Sequence, residues 1–187
     1  GSMGFSTIGG KVAQNAGGPR CLKYGVTSDY VLGMEVVLAN GDVIRFGSRN
    51  VKDVTGYRLF GLFCGSEGTL GIVTEITLKV LPQPAAYRTV LAVFNDLDDS
   101  AATVSDIIGA GILPAALELL DKVLINAVED ANNIGLPREA EGLLLIEVDG
   151  SEEQVENELA LIIEKTKDNN AIDIQEARTL QERDNLW

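Results

Sequence analysis

Histidine is absent from all 187 residues. It is the commonest general acid–base group and a leading ligand for zinc, copper and iron. A hydrolytic or hydroxyl-oxidising site built from this chain alone would fall to Asp, Glu, Lys or Tyr. Cysteine is scarce. Cys21 and Cys64 stand far apart with no CxxC, so neither a disulfide framework nor a zinc site follows. Both read as small buried apolar side chains, and a reducing, cytoplasmic home is expected. No apolar run approaches the ~20 residues that a membrane-spanning helix needs. The longest, such as Gly142 to Val148, are strand-sized. No G-x-x-x-x-G-K-[ST] occurs, which excludes a P-loop nucleotide site.

Positive charge is short overall, with a formal net charge of −13, and it is unevenly placed. Residues 1–84 carry 8 Lys and Arg against 6 Asp and Glu, whereas residues 85–187 carry 7 against 22. The first part suits a ligand with phosphates. The second repels nucleic acid and anionic membranes, and the plainer reading of it, as a charged face that keeps the protein in solution, is the favoured one. Pro82-Gln83-Pro84 marks the boundary, because two prolines there disfavour a continuous helix or central strand. Gly1-Ser2-Met3 reads as an expression scar.

The first part is β-rich with glycines at its joints. Asn40-Gly41 between Glu35–Ala39 and Asp42–Phe46 predicts a hairpin whose two turn residues both take φ > 0. Ile72 to Leu81 alternates, with Ile72, Thr74, Ile76, Leu78 and Val80 facing one way. Tyr57 to Phe63 reads as a short helix. In the second part, strands are expected at 87–94, 115–119, 143–149 and 171–175. Helices are expected at 97–109, 122–131, 151–167 and from 177. The helix at 97–109 would bury Val104, Ile107 and Ile108. Ser151 caps the next, with Gln154 at N3, over a stripe of Val155, Leu159, Ile162, Ile163 and Thr166. The order is βαββαβ, that of a ferredoxin-like sandwich, with one extra helix after Leu120. Both chain ends read as cut.

Two glycine clusters carry the chemical signal. The first runs Ile8-Gly9-Gly10-Lys11-Val12-Ala13-Gln14-Asn15-Ala16-Gly17-Gly18. The second runs Gly65-Ser66-Glu67-Gly68-Thr69-Leu70-Gly71-Ile72-Val73. Glycine lets backbone approach a ligand closely, and successive N–H groups form concave anion sites. The G-x-x-G-x-x-G in the second is no Rossmann fingerprint, since it runs into a strand rather than a helix. Glycine spacing alone leaves either tight turns or a phosphate-bearing ligand of unknown kind.

The run Phe5-Ser6-Thr7-Ile8-Gly9-Gly10, then Asn15-Ala16-Gly17-Gly18 and Lys23-Tyr24-Gly25, resembles one half of the FAD-binding domain of the vanillyl-alcohol-oxidase/PCMH flavoprotein family. So do Gly33-x-Glu35-Val36-Val37-Leu38-Ala39-Asn40-Gly41, Thr55-Gly56-Tyr57 and the second glycine cluster. The likeness is to the branch holding the FAD-linked subunit of glycolate oxidase and the D-lactate and D-2-hydroxyglutarate dehydrogenases. Ala116 to Asp121 and Leu144 to Gly150 resemble the start of that family's cap domain. Arg58 departs from the acidic residue that relatives often have there.

The resemblance implies an α+β chain. Residues 4–82 would be the second half of a PCMH-type FAD-binding domain, and 85–187 the first, ferredoxin-like part of the FAD-linked oxidase C-terminal (cap) domain. It implies FAD, held by Ser6, Thr7, Gly10, Gln14, Asn15, Gly17 and Gly18 from the first cluster. Glu67, Gly68, Gly71, Ile72 and Val73 would add contacts from the second, largely through backbone. The intact enzyme would oxidise a small 2-hydroxy acid to a 2-oxo acid by hydride transfer to flavin N5. Electrons would pass to an iron–sulfur or other accepting subunit, through which the protein could be membrane-associated. No metal ligand or catalytic residue is expected among these residues, and the fragment alone is expected to be inactive. Two rivals stay open. One is a flavoenzyme of the same family with other chemistry, of the ether-lipid synthase type. The other is a non-catalytic ferredoxin-like interaction module.

Overall fold

A computed structural model describes residues 4–187; Gly1-Ser2-Met3, read above as a scar, lie outside the described residues. The chain forms two compact units. One holds residues up to Gly18 together with Gly25–Pro82, and the other holds Pro19–Tyr24 together with Gln83–Trp187. The break after Pro82 falls at the paired prolines. The transfer of Pro19–Tyr24 to the second unit has no signal in the local sequence.

In the first unit, β1 (Val31–Val37) pairs antiparallel with β2 (Val43–Gly47) and β3 (Ile72–Leu78), in the order β2-β1-β3. Helix α1 (Ile8–Ala13) and a single turn, α3 (Phe60–Phe63), complete a core of Val12, Val31, Met34, Val36 and Phe63. The rings of Phe46 and Phe63 stack at 5.4 Å. The expected hairpin forms, but its turn differs. Gly41 N–H donates to the Leu38 carbonyl and Leu38 N–H to the Asp42 carbonyl. Only Gly41, at φ +88°, is left-handed. This is a three-residue loop closed by a glycine bulge, not a two-residue turn.

The alternation of β3 is also broken. Glu35 pairs with Glu75 but Val36 pairs with Val73, so Thr74 is an extra residue in the ladder. A bulge shifts the pleat by one. Val73 before it, and Ile76 and Leu78 after it, therefore reach the same core, while Ile72 turns outward. A compensating shift at Leu32 lets Val31, Met34 and Val36 face inward together. Val80 and Leu81 lie beyond the strand and are exposed. Tyr57 stands outside α3 and is exposed, because the helix starts only at Phe60.

The second unit contains β4 (Ala86–Phe94), α4 (Leu97–Gly109), β5 (Ala116–Asp121), α5 (Lys122–Asn132), β6 (Gly142–Gly150), α6 (Glu152–Asp168), β7 (Asp173–Ala177) and α7 (Leu180–Leu186). The residues Cys21–Tyr24, helix α2, pack with them. The sheet order is β5-β6-β4-β7, all antiparallel. That is the ferredoxin-like arrangement of a βαββαβ chain. Strand β6 is buried along nearly its whole length because it is central and covered on both faces. On one face, Phe94, Leu144, Ile146 and Val148 meet Ile107 of α4 and Val155, Leu159 and Ile162 of α6. Each such side chain stabilises the fold by roughly 1.5–3 kcal/mol. On the other, Leu91, Val93, Leu143 and Leu145 meet Ile125 of α5, with Leu186 of α7 against them.

The α6 stripe lies where the periodicity places it. Ser151 Oγ accepts the Gln154 N–H at 3.2 Å, but the Gln154 amide turns to Glu158, so only half of the capping box forms. Helix α4 keeps Ile107 and Val104 against the core as expected but is turned toward Ser100 and Thr103. It buries Ser100, Thr103 and Ile107, and Ile108 is exposed. Ser100 and Thr103 donate to the carbonyls of Leu97 and Asp99, at 2.6 and 2.9 Å. Small hydroxyls satisfied within their own helix can approach the sheet closely, which the bulkier Ile108 cannot. Helix α5 ends at left-handed Asn133, after which the Glu129 carboxylate accepts the N–H groups of Ile134, Gly135 and Leu136. Among the described residues no helix is long and apolar enough to cross a membrane.

Candidate cofactor site

The first glycine cluster is α1 and its exit. Thr7 caps the helix, its Oγ1 accepting the Gly10 N–H at 3.1 Å. At the other end Asn15 N–H donates to the Val12 carbonyl and Ala16 N–H to that of Lys11. With Asn15 at φ +46°, this is a Schellman closure. Asn15 Oδ1 accepts the Ser28 N–H at 2.8 Å.

The second cluster closes the same helix end from outside. Gly65 N–H donates to the Val12 carbonyl at 3.0 Å, and Glu67 N–H to the Ala13 carbonyl at 2.9 Å. These are carbonyls that a helix end leaves without intrahelical partners. The two clusters are therefore one body. Gly71 follows at the point where β3 meets β1. A Cβ there would lie 2.6 Å from Val36 Cγ1 and 2.9 Å from the Val37 carbonyl oxygen.

This geometry divides the residues expected to hold FAD. Thr7 Oγ1, Asn15 Oδ1 and the Glu67 N–H already have partners within the protein, and Val73 points into the unit's core. Gly10, Gln14, Gly17, Gly18, Glu67, Gly68 and Ile72 are exposed. Ser6 differs from all of these. Its Oγ is buried and has no hydrogen-bond partner among the described residues. A buried hydroxyl left so is unfavourable unless another group completes it. A hydroxyl with no partner among the described residues, ahead of a glycine-rich helix and with exposed backbone on both clusters, fits a large ligand carrying phosphate and carbonyl oxygens. Cys64 beneath the second cluster has its thiol pushed up by burial. Among the described residues no group of His, Cys, Asp and Glu is placed to hold a metal.

The second unit holds a cluster that reading the sequence missed. Glu147 and Asp149 on β6 are both wholly buried. Glu147 is bonded by Arg20, by Arg183 Nε at 2.6 Å, by Trp187 Nε1 at 2.9 Å and by Thr89 Oγ1 at 3.2 Å. Asp149 accepts from Lys23 Nζ at 2.5 Å and from the Tyr24 hydroxyl at 2.8 Å. The Arg20 and Arg183 guanidinium groups lie 5.6 and 5.1 Å from the centre of the Tyr87 ring. Burial, and then the bond to Asp149, push the Tyr24 hydroxyl up to about 12. The available signal was two acids spaced i, i+2 in an apolar strand, which share one face.

Known proteins match both units. Residues 83–187 match the C-terminal domain of FAD linked oxidases, and residues 1–47 match an FAD binding domain. The chain is 53% identical to the glycolate oxidase subunit GlcD of Bacillus subtilis, over 97% of this chain and 38% of that protein. It is 41% identical to the GlcD subunit of Escherichia coli K12, over 97% and 36%, and 40% identical to a D-lactate dehydrogenase of Anaerostipes hadrus, over 98% and 40%. It thus spans well under half the length of these relatives. Among solved structures, an alkyldihydroxyacetonephosphate synthase superposes with TM-score 0.72 at 20% identity, over 98% of this chain and 36% of that one. A p-cresol methylhydroxylase superposes with TM-score 0.66 at 18% identity, over 94% and 40%. At such identity these two establish the fold alone. With the C-terminal match covering more than half of its residues, the chain belongs to the FAD linked oxidases, a family whose cofactor is FAD.

Proposed function

We propose that the intact protein is an FAD-dependent dehydrogenase that oxidises a 2-hydroxy acid, of the glycolate or D-lactate type, to the 2-oxo acid. The observation that carries the reading is the single body made by the two glycine clusters, with the buried Ser6 hydroxyl, without a partner among the described residues, ahead of it. The substrate class follows from likeness to the GlcD subunits and the D-lactate dehydrogenase. In this reading residues 4–82 are the second half of the FAD-binding domain and residues 85–187 begin the cap domain.

Ser6 Oγ donates to or accepts from the cofactor, and Gly10, Gln14, Gly17 and Gly18 approach it from the first cluster. Gly68 and Ile72 approach from the second. Thr7, Asn15, Glu67, Gly71 and Val73 act by holding the backbone of these segments. Bound FAD supplies the acceptor for the hydride leaving the substrate's Cα. The protein's own part is to fix and orient it. The GlcD relatives are subunits, and on that likeness an electron-accepting partner, of iron–sulfur type, is assigned to this protein. A cytoplasmic home goes with this reading.

The test takes the full-length protein. Its flavin spectrum is recorded, and glycolate, D-lactate, L-lactate and D-2-hydroxyglutarate are added in turn without oxygen. Bleaching by one of them is the expected outcome and names the substrate. A yellow protein that none of them bleaches refutes the hydroxy-acid chemistry. A colourless protein that takes up no FAD refutes the whole reading.

A further inference from the structure

Buried charges persist only where partners replace the water they have lost. For Glu147 and Asp149 the replacement comes largely from residues far away in the chain. Arg20 bonds Glu147 and lies 3.8 Å from Asp149 Oδ2. Lys23 Nζ reaches both Asp149 Oδ1 and the Asp149 carbonyl, at 2.5 and 2.6 Å. The Tyr24 hydroxyl reaches both carboxylate oxygens, at 2.9 and 2.8 Å. Three of the six residues in Pro19–Tyr24 are thus spent on two carboxylates of β6. This explains why the strap packs with the second unit although both of its flanks belong to the first.

The strap follows Gly18 directly. Gly17 and Gly18 have the most backbone freedom to lose of any residue type. Pro19 fixes its own φ and pushes Gly18 away from helical conformations. A segment anchored at Arg20 and Lys23 therefore leaves the glycines fewer states. A site ordered beforehand binds more tightly, because less ordering remains to be done on binding.

We propose that Glu147 and Asp149 form a socket for the chain's own 19–24 strap, and that Arg20, Lys23, Glu147 and Asp149 are thereby positioning residues for FAD. The inference rests on the FAD reading above. The residues touch no cofactor. They act through the peptide chain on Asn15, Gly17 and Gly18. Arg183 of α7 and Trp187, just after that helix, bond Glu147 as well, and Arg183 shares the Tyr87 ring with Arg20. This holds the Glu147 side of the socket in shape independently of the strap.

The experiment uses the full-length protein and two readouts. FAD affinity is followed by quenching of flavin fluorescence, and amide hydrogen exchange is followed across residues 15–25. Lys23→Met keeps the apolar stem and removes the charge, and Lys23→Arg restores a cation. Lys23→Met and Asp149→Asn are each expected to weaken FAD binding by about fivefold or more and to speed exchange at 15–25. The double variant is expected to be no worse than either single variant, and Lys23→Arg to recover most of the affinity. Equal FAD affinity in all the variants overturns the proposal even where they melt earlier, since a purely structural pairing lowers stability without touching the cofactor. Where Asp149→Asn does not fold, the Lys23 pair still decides. A wild-type protein that takes up no FAD fails the FAD reading itself. Wild-type uptake with unmoved variants fails the socket alone.

Discussion

The Gly65 amide donates to the Val12 carbonyl at 3.0 Å, and this bond joins two glycine-rich segments that are remote in sequence. It explains why clusters that look like separate loops behave as one wall. The end of α1 needs outside donors, and the loop after α3 supplies them.

Gly71 is held by close packing. A methyl group there would meet Val36 Cγ1 at 2.6 Å and the Val37 oxygen at 2.9 Å, and backbone cannot move aside cheaply. Gly71→Ala is expected to destabilise the protein by about 1–3 kcal/mol. Gly9, in α1 with nothing within 4 Å, provides the contrast. Gly9→Ala should be neutral or stabilising by up to about 1 kcal/mol. Urea unfolding of both variants checks the pair, and equal effects would refute the argument.

The α6 stripe predicts a sharp difference between adjacent residues. Ile162 is fully buried against β4 and β6, whereas Leu161 is 41% exposed. Ile162→Ala is expected to cost about 2–5 kcal/mol, and Leu161→Ala less than about 1 kcal/mol. Thermal or denaturant melts measure both. Similar losses would mean the helix is not oriented as described.

Glu129 makes the loop after α5 acid-sensitive. The N–H of Leu136 foremost, then those of Gly135 and Ile134, with Arg138 nearby, hold its carboxyl below the ordinary glutamate value. A depressed folded pKa means stability that is complete above the unfolded value and lost as pH falls through the folded one. Amide protection at 134–136, taken relative to the intrinsic exchange rate at each pH, should therefore fall as the pH is lowered across that interval. In Glu129→Gln protection should be lower throughout and lose this pH dependence. Protection that ignores pH in the wild type would contradict the assignment.

Tyr24 gives the opposite sign at alkaline pH. Burial and its bond to Asp149 raise the hydroxyl from 10.0 to about 12. Its contribution is intact below pH 10 and disappears as pH rises through about 12. Ultraviolet titration should show a late-ionising tyrosine in the wild type that is missing in Tyr24→Phe. Identical titration curves would show that the hydroxyl is not held as described.

Much of the second unit was legible from sequence because its determinants are local. The Ser151 cap, the spacing of Val155, Leu159, Ile162 and Thr166 and the apolar run of β6 act within a few residues of one another, and βαββαβ order restricts how they assemble. The glycine clusters and their resemblance to an FAD-binding domain were also plain in the order of residues. Tertiary structure decided what depends on a distant partner. The bulge at Thr74 is a property of its pairing with β1, and periodicity within one strand cannot contain it. The rotation of α4 depends on Gly142 of β6, where a Cβ would sit 2.8 Å from Ser100 Oγ. The division of the glycine-cluster residues into those with inward partners and those left outward was set by which carbonyls of α1 needed donors. The role of Arg20 and Lys23 appears only when β6 brings two buried carboxylates to them, because a charge carries no sign of its partner in the sequence around it.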